Sequence, residues 1–128
     1  LYKEFLENGK LKIRLFVMLQ GTNETLLEEW FSKGPEIGLG NNYLTIRSIK
    51  LLLDGALGSR GAWLLKPYTD RPGHMGNKTL SLDYLEKVAK QGAKNGFQLC
   101  VHAIGDRANR EVLNKFEEAY NKYPKEIE

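Results

Sequence analysis

Cysteine is almost missing from this chain. Cys100 is the one thiol in 128 residues, so no internal disulfide framework holds the fold together. Long apolar runs are missing too: none approaches the roughly 18 residues of a membrane span, and no membrane partner is expected. Neither sign of charge dominates. The net charge is +3, and lysines alternate with acids along the helical stretches, which leaves no basic stripe for nucleic acid. Internal repeats and low-complexity segments are absent. The chain begins at Leu1, with neither an initiator methionine nor a signal-peptide pattern, so the expectation is a stretch of a longer, cytoplasmic protein. These absences leave an ordinary soluble composition, long enough for a single domain over 1–128 with a real core.

What is present centres on Leu44–Gly61, LTIRSIKLLLDGALGSRG. Its near-continuous apolar run suits a strand buried on both faces of a parallel sheet. Strict alternation puts Lys50 on one side with Leu44, Ile46, Ser48, Leu52 and Asp54, and puts Ile49, Leu51 and Leu53 opposite. An ammonium with no room to reach water must be paired, neutralised or modified. The strand then breaks at Asp54-Gly55, and Gly55, Gly58 and Gly61 form a loop able to approach a ligand closely.

Around this stretch, the pattern reads as a helix over Tyr2–Asn8 stopped by Gly9, then a strand over Leu11–Leu19. A helix through Leu26, Leu27, Trp30 and Phe31 follows, capped by Thr22 or Asn23 and ended by Gly34-Pro35. Glu36–Asn42 reads as loop, and Ala62–Thr79 as a long loop without periodicity that carries His74. Ser81 caps a helix ending at Asn95-Gly96, Phe97–Ile104 is a strand, and Asp106 caps a last helix ending at Tyr123-Pro124. Strands alternating with helices imply an α/β fold with parallel pairing through right-handed crossovers. Three visible strands would leave two bare edges. A (β/α)₈ barrel of TIM type needs about 250 residues, so the expectation is parallel βα units forming about half of one.

In such folds ligands bind at the carboxyl ends of the strands. That rule selects Asp54–Gly61 and His102–Arg107, and it pairs Lys50 with His102 on a polar inner face shared with Ser48, Gln98 and Cys100. Taken singly, each residue has a plainer meaning. A histidine after a strand is commonly structural, a strand lysine commonly lies at a solvated edge, and Cys100 suits a small core position. The Gly55–Gly61 spacing, G-x-x-G-x-x-G, is neither the dinucleotide fingerprint nor the P-loop. Arg60 in that loop could reach an anionic substrate group.

Two stretches together resemble a known family. IKLLLDGALGSRGAWLLKPYTDRPGHMGN, and after a helix GFQLCVHAIGDRANREVLNKFE, look like the middle of an amidohydrolase-superfamily protein. The likeness is to the amidohydrolase family 3 group that includes N-substituted formamide deformylase. It covers the chain from Leu11 onward. The resemblance implies a (β/α)₈ barrel and a metal-dependent hydrolase of amide or other non-peptide carbon–nitrogen bonds in a small-molecule substrate. Lys50 matches the family's inward lysine, which is carboxylated and ligates or bridges one or two divalent metals. His102 matches its strand-end histidine ligand. Zinc is the first expectation for the metal, and Asp54, Ser59 and Arg60 are the expected substrate contacts.

The chain departs from the family pattern at its ligands. No His-x-His pair occurs, and a further histidine would follow an Ile-Glu pair such as Ile127-Glu128, with which this chain ends. The expectation is therefore a central piece of a metallohydrolase, inactive and metal-free alone, which self-associates through its bare edges. Two other readings stay open: a non-catalytic relative that only associates through sheet edges, and a phosphate- or nucleotide-binding module built on Gly55–Gly61.

Overall fold

A computed structural model describes residues 1–124. Helix α1 (Tyr2–Glu7) stops at Asn8 and Gly9, where φ is +65°. Strand β1 (Leu15–Gln20) leads to α2 (Glu24–Lys33), whose first turn is closed by the Asn23 side chain accepting the Leu26 N–H. Glu36–Asn42, expected as loop, holds a short strand β2 (Glu36–Gly38) and a turn α3 (Leu39–Asn42). Gly38, Gly40, Asn41 and Asn42 all lie at positive φ there, a region that glycine and asparagine tolerate best. Strand β3 (Leu44–Leu52), helix α4 (Leu82–Lys94), strand β4 (Gln98–His102) and helix α5 (Asp106–Lys122) complete the order. Ser81 caps α4 by accepting the Tyr84 N–H. Among the described residues no helix is long and apolar enough to cross a membrane. Ile127-Glu128 lie outside the described residues.

The sheet has β3 at its centre, with β1 parallel on one side and β4 parallel on the other. β2 joins β3 antiparallel through Glu36 opposite Ile46, ahead of the pairing with β4 that begins at Ser48. The strand–helix–strand units are thus parallel and sequential, and an antiparallel flap borders the start of the central strand. Two strands are shorter than their patterns suggest. β1 starts only at Leu15, and β4 ends at His102 because the Ile104 N–H turns to the Asp54 carboxylate.

A bulge in β3 overturns the strict alternation expected there. Val17 lies opposite Ile46 but Met18 lies opposite Ser48, so Arg47 is an extra residue. Beyond it the parity reverses. Leu44 and Ile46 therefore share a face with Ile49, Leu51 and Leu53, rather than with Lys50, and this is the face the helices cover. α2 adds Leu27 and Trp30 to that core, α4 adds Leu85, Val88, Ala89 and Ala93, and α5 adds Ala108, Val112 and Ala119. Among the described residues no helix covers the opposite face, and Phe16, Met18 and Leu52 stand there 56%, 49% and 54% exposed.

Candidate active site

The uncovered face carries the polar groups. Lys50 lies between Gln20 on β1 and Cys100 on β4, and His102 lies two pairs further along, opposite Leu52. Partners in a parallel register project to the same side, so Gln20, Lys50, Cys100, Leu52 and His102 share the open face near the carboxyl ends of their strands. The Lys50 side chain is half-buried and makes no hydrogen bond or ion pair among the described residues. It lines a concavity of about 400 Å³ with Met18, Gln20, Thr22, Leu52 and Thr79. Cys100, expected as core, is half-buried beside Lys50.

Asp54 is not open to solvent. Its side chain is fully buried, although it was expected to touch substrate. Its Oδ2 accepts the N–H groups of Trp63 and Gly105, each at 2.8 Å, and its Oδ1 accepts that of Ile104 at 2.9 Å. His102 Nε2 stands 3.8 Å from Oδ1. Both carboxylate oxygens are thus engaged by the chain itself.

The other two expected substrate contacts lie in the glycine loop. The Ser59 hydroxyl donates to the Ala56 carbonyl at 3.1 Å. Arg60, at φ +58°, forks its guanidinium onto Asp70, with Nη2 2.6 Å from Oδ2. The hydrogen bond to Asp70 raises the Arg60 pKa, and Arg60 in turn holds the Asp70 carboxyl below its ordinary range. Arg60 therefore meets an acid of its own loop. The glycine loop folds on itself as well: the Gly55 N–H donates to the Gly61 carbonyl, and the Gly61 N–H to the Ala56 carbonyl. The next helix in the chain begins only at Leu82, so the loop does not lead directly into a helix as a P-loop does.

Sequence reasoning missed how the long loop is tied down. Trp63–Leu65 crosses the start of α5: the Trp63 carbonyl accepts the Ala108 N–H, and the Leu65 N–H donates to Asp106 Oδ1 at 2.9 Å. Asp106 is accordingly the first residue of α5 rather than its cap, a position taken by Gly105. A side chain on Gly105 would overlap the Trp63 carbonyl, so the glycine in VHAIGDRAN is the one signal of this crossing in the sequence. His74, expected on a long loop without periodicity, stacks on Tyr68 with ring centroids 5.8 Å apart and hydrogen-bonds the Arg60 carbonyl at 2.9 Å.

Among the described residues, no three His, Cys, Asp or Glu side chains gather as a metal site. The donors suit a partial one. The His102 side chain is one-third exposed on the open face, Lys50 has no competing side-chain partner there among the described residues, and Asp54 already accepts three backbone N–H groups.

Over residues 1–127 the sequence matches the amidohydrolase family. It is 32% identical over 92 residues to Protein LONG AFTER FAR-RED 3 of Arabidopsis thaliana, covering 72% of this chain and 15% of that protein. It is 37% identical over 79 residues to the putative amidohydrolase YtcJ of Bacillus subtilis, covering 62% and 15%. The fold resembles that of an uncharacterized metal-dependent hydrolase from Pyrococcus horikoshii, with a TM-score of 0.80 at 33% identity over 91% of this chain and 23% of the other. A counterpart from Pyrococcus furiosus gives 0.80 at 35% identity, over 92% and 24%. The chain spans 15% of the length of the curated relatives it matches.

Proposed function

This chain belongs to the amidohydrolase family, and on that premise we propose that it supplies one wall of the active site of a metal-dependent hydrolase acting on an amide or a related non-peptide carbon–nitrogen bond. The observation that carries this reading is the placement of Lys50 and His102 on one uncovered face of adjacent parallel strands, two register pairs apart. The sheet is about half of a (β/α)₈ barrel, its helices form part of the outer layer, and the open face is part of the lumen wall.

Lys50 and His102 are the residues that would hold metal, Lys50 after carboxylation and His102 through its imidazole. Carboxylation starts from a neutral amine: its nitrogen bonds to the carbon of CO₂, a proton leaves to solvent, and the side chain becomes an anionic carbamate. The Lys50 side chain is half-buried, and among the described residues no acid is bound to its ammonium. A metal held there would supply Lewis-acid activation of water toward a carbonyl carbon, and imidazole with oxygen ligands would suit zinc. The remaining ligands lie outside this stretch. Ser59 and Arg60 lie in the loop that follows β3, where Asp70 holds Arg60 until an anionic group of the substrate competes for it.

The test is Lys50→Ala in the full-length protein. The variant should lose metal-dependent hydrolysis by at least about a hundredfold. Short carboxylic acids added with bicarbonate should restore part of it, because they supply the missing oxygen ligand. Unchanged activity and metal content in the variant would remove Lys50 from the site.

A further inference from the structure

Asp54 lies four residues beyond Lys50, where the chain leaves the sheet, and its side chain is fully buried. A carboxylate taken out of water needs its charge compensated. No cation is hydrogen-bonded to it among the described residues; three backbone N–H groups are, all within 2.9 Å. The donors come from two segments far apart in sequence. Trp63 belongs to the loop after β3, and Ile104 and Gly105 belong to the turn after β4. The same two segments also meet through the Trp63 carbonyl with Ala108 and through Leu65 with Asp106. Asp54 is therefore the buried centre of a knot that fixes the backbone two residues past His102.

An apolar side chain could fill the same volume, but it would leave three buried N–H groups without an acceptor. Asparagine keeps the shape but swaps one oxygen for an NH₂, so at least one backbone N–H would face a donor however the amide is turned. The position thus requires a carboxylate, and what that carboxylate holds is the end of the strand that carries His102.

We infer that Asp54 is a positioning residue for the metal site: through Ile104 and Gly105 it fixes where β4 presents His102, and it makes no contact with substrate. This rests on the reading of His102 as a metal ligand. It implies reciprocity, since metal held at His102 must tighten the Asp54 knot by the same coupling through which the knot favours metal.

The experiment uses the full-length protein, metal-free and with zinc, read by amide hydrogen exchange over residues 62–66 and 102–106, together with zinc affinity and steady-state kinetics. In the wild type, zinc should slow exchange at Trp63, Ile104 and Gly105 by about tenfold or more. Asp54→Asn should abolish that slowing and weaken zinc binding about 10- to 100-fold. It should also lower kcat while KM stays within about twofold. Three results would overturn the inference: an Asp54→Asn protein that binds zinc and turns over like the wild type; a rise in KM alone, which would make Asp54 a substrate contact; or zinc binding to the wild type with no change in exchange at the knot. The last needs no variant, so it decides the matter even if Asp54→Asn does not fold. Failure of the wild type to bind zinc at all would remove the metal site itself, and the inference with it, and the affinity measurement separates that outcome from the others.

Discussion

At the scale of single residues, buried polar atoms and close approaches decide the outcome. Ser48 is fully buried and its hydroxyl has no partner in the described structure. Removing a donor that bonds nothing relieves a desolvation cost, so Ser48→Ala should leave stability unchanged or raise it by up to about 1 kcal/mol, read from the urea midpoint. A clear loss would mean that the hydroxyl is satisfied. Gly105 behaves in the opposite way. Its added Cβ would meet a backbone carbonyl, which cannot swing aside as a side-chain end can. Gly105→Ala should destabilise by about 2–3 kcal/mol, visible as a lowered melting temperature. Glu86 carries an acid dependence. Hydrogen bonds from Lys115 and then Lys90 hold its carboxyl down to about 2, below the ordinary 4.5. A depressed folded-state pKa gives stability that is whole above the ordinary value and is lost as pH falls through the folded one. Unfolding midpoints followed from about pH 5 down to about pH 2 should therefore fall less steeply for Glu86→Gln than for the wild type.

At the scale of elements, caps and bulges carry most of the local specification. Asn23 and Ser81 each close a helix start through one side-chain acceptor. Replacing either by alanine should cost about 1 kcal/mol in denaturant unfolding, and no loss at Ser81 would show that α4 starts without its cap. These caps were legible because N-cap chemistry is local. So were the three parallel strands, whose apolar runs are long enough to stand above turn signals. The β3 bulge was not legible. An extra residue at Arg47 leaves the composition of the strand unchanged and is set by pairing with β1, so counting by alternation placed Leu44 and Ile46 on the wrong face. The roles of Asp54 and Asp106 were hidden for a similar reason. A carboxylate after a strand or before a helix reads as a ligand or a cap, and only the path of Trp63–Leu65 shows which N–H groups it accepts. By contrast, Lys50 and His102 lie beyond the bulge, in a regular register, and their shared face follows from counting alone.

At the scale of the whole molecule, the sheet is covered on one face and open on the other. β1 and β4 leave their outer edges unpaired among the described residues, and Phe16, Met18 and Leu52 stand exposed on the open face. Such edges and faces are normally covered. The isolated chain should therefore self-associate, and sedimentation over a concentration series should show mass rising with concentration; a single monomeric species at high concentration would count against the half-barrel reading. The central claim, that Lys50 becomes a carbamate in the complete site, has one direct measurement. The full-length protein is loaded with zinc in ¹³C-bicarbonate, and the carbamate carbon is sought by ¹³C NMR in the wild type and in Lys50→Ala. A carbamate signal in the wild type, absent from the variant and lost when zinc is removed, is the predicted result. No such signal in a zinc-loaded, active wild type, or the same signal in Lys50→Ala, would contradict it.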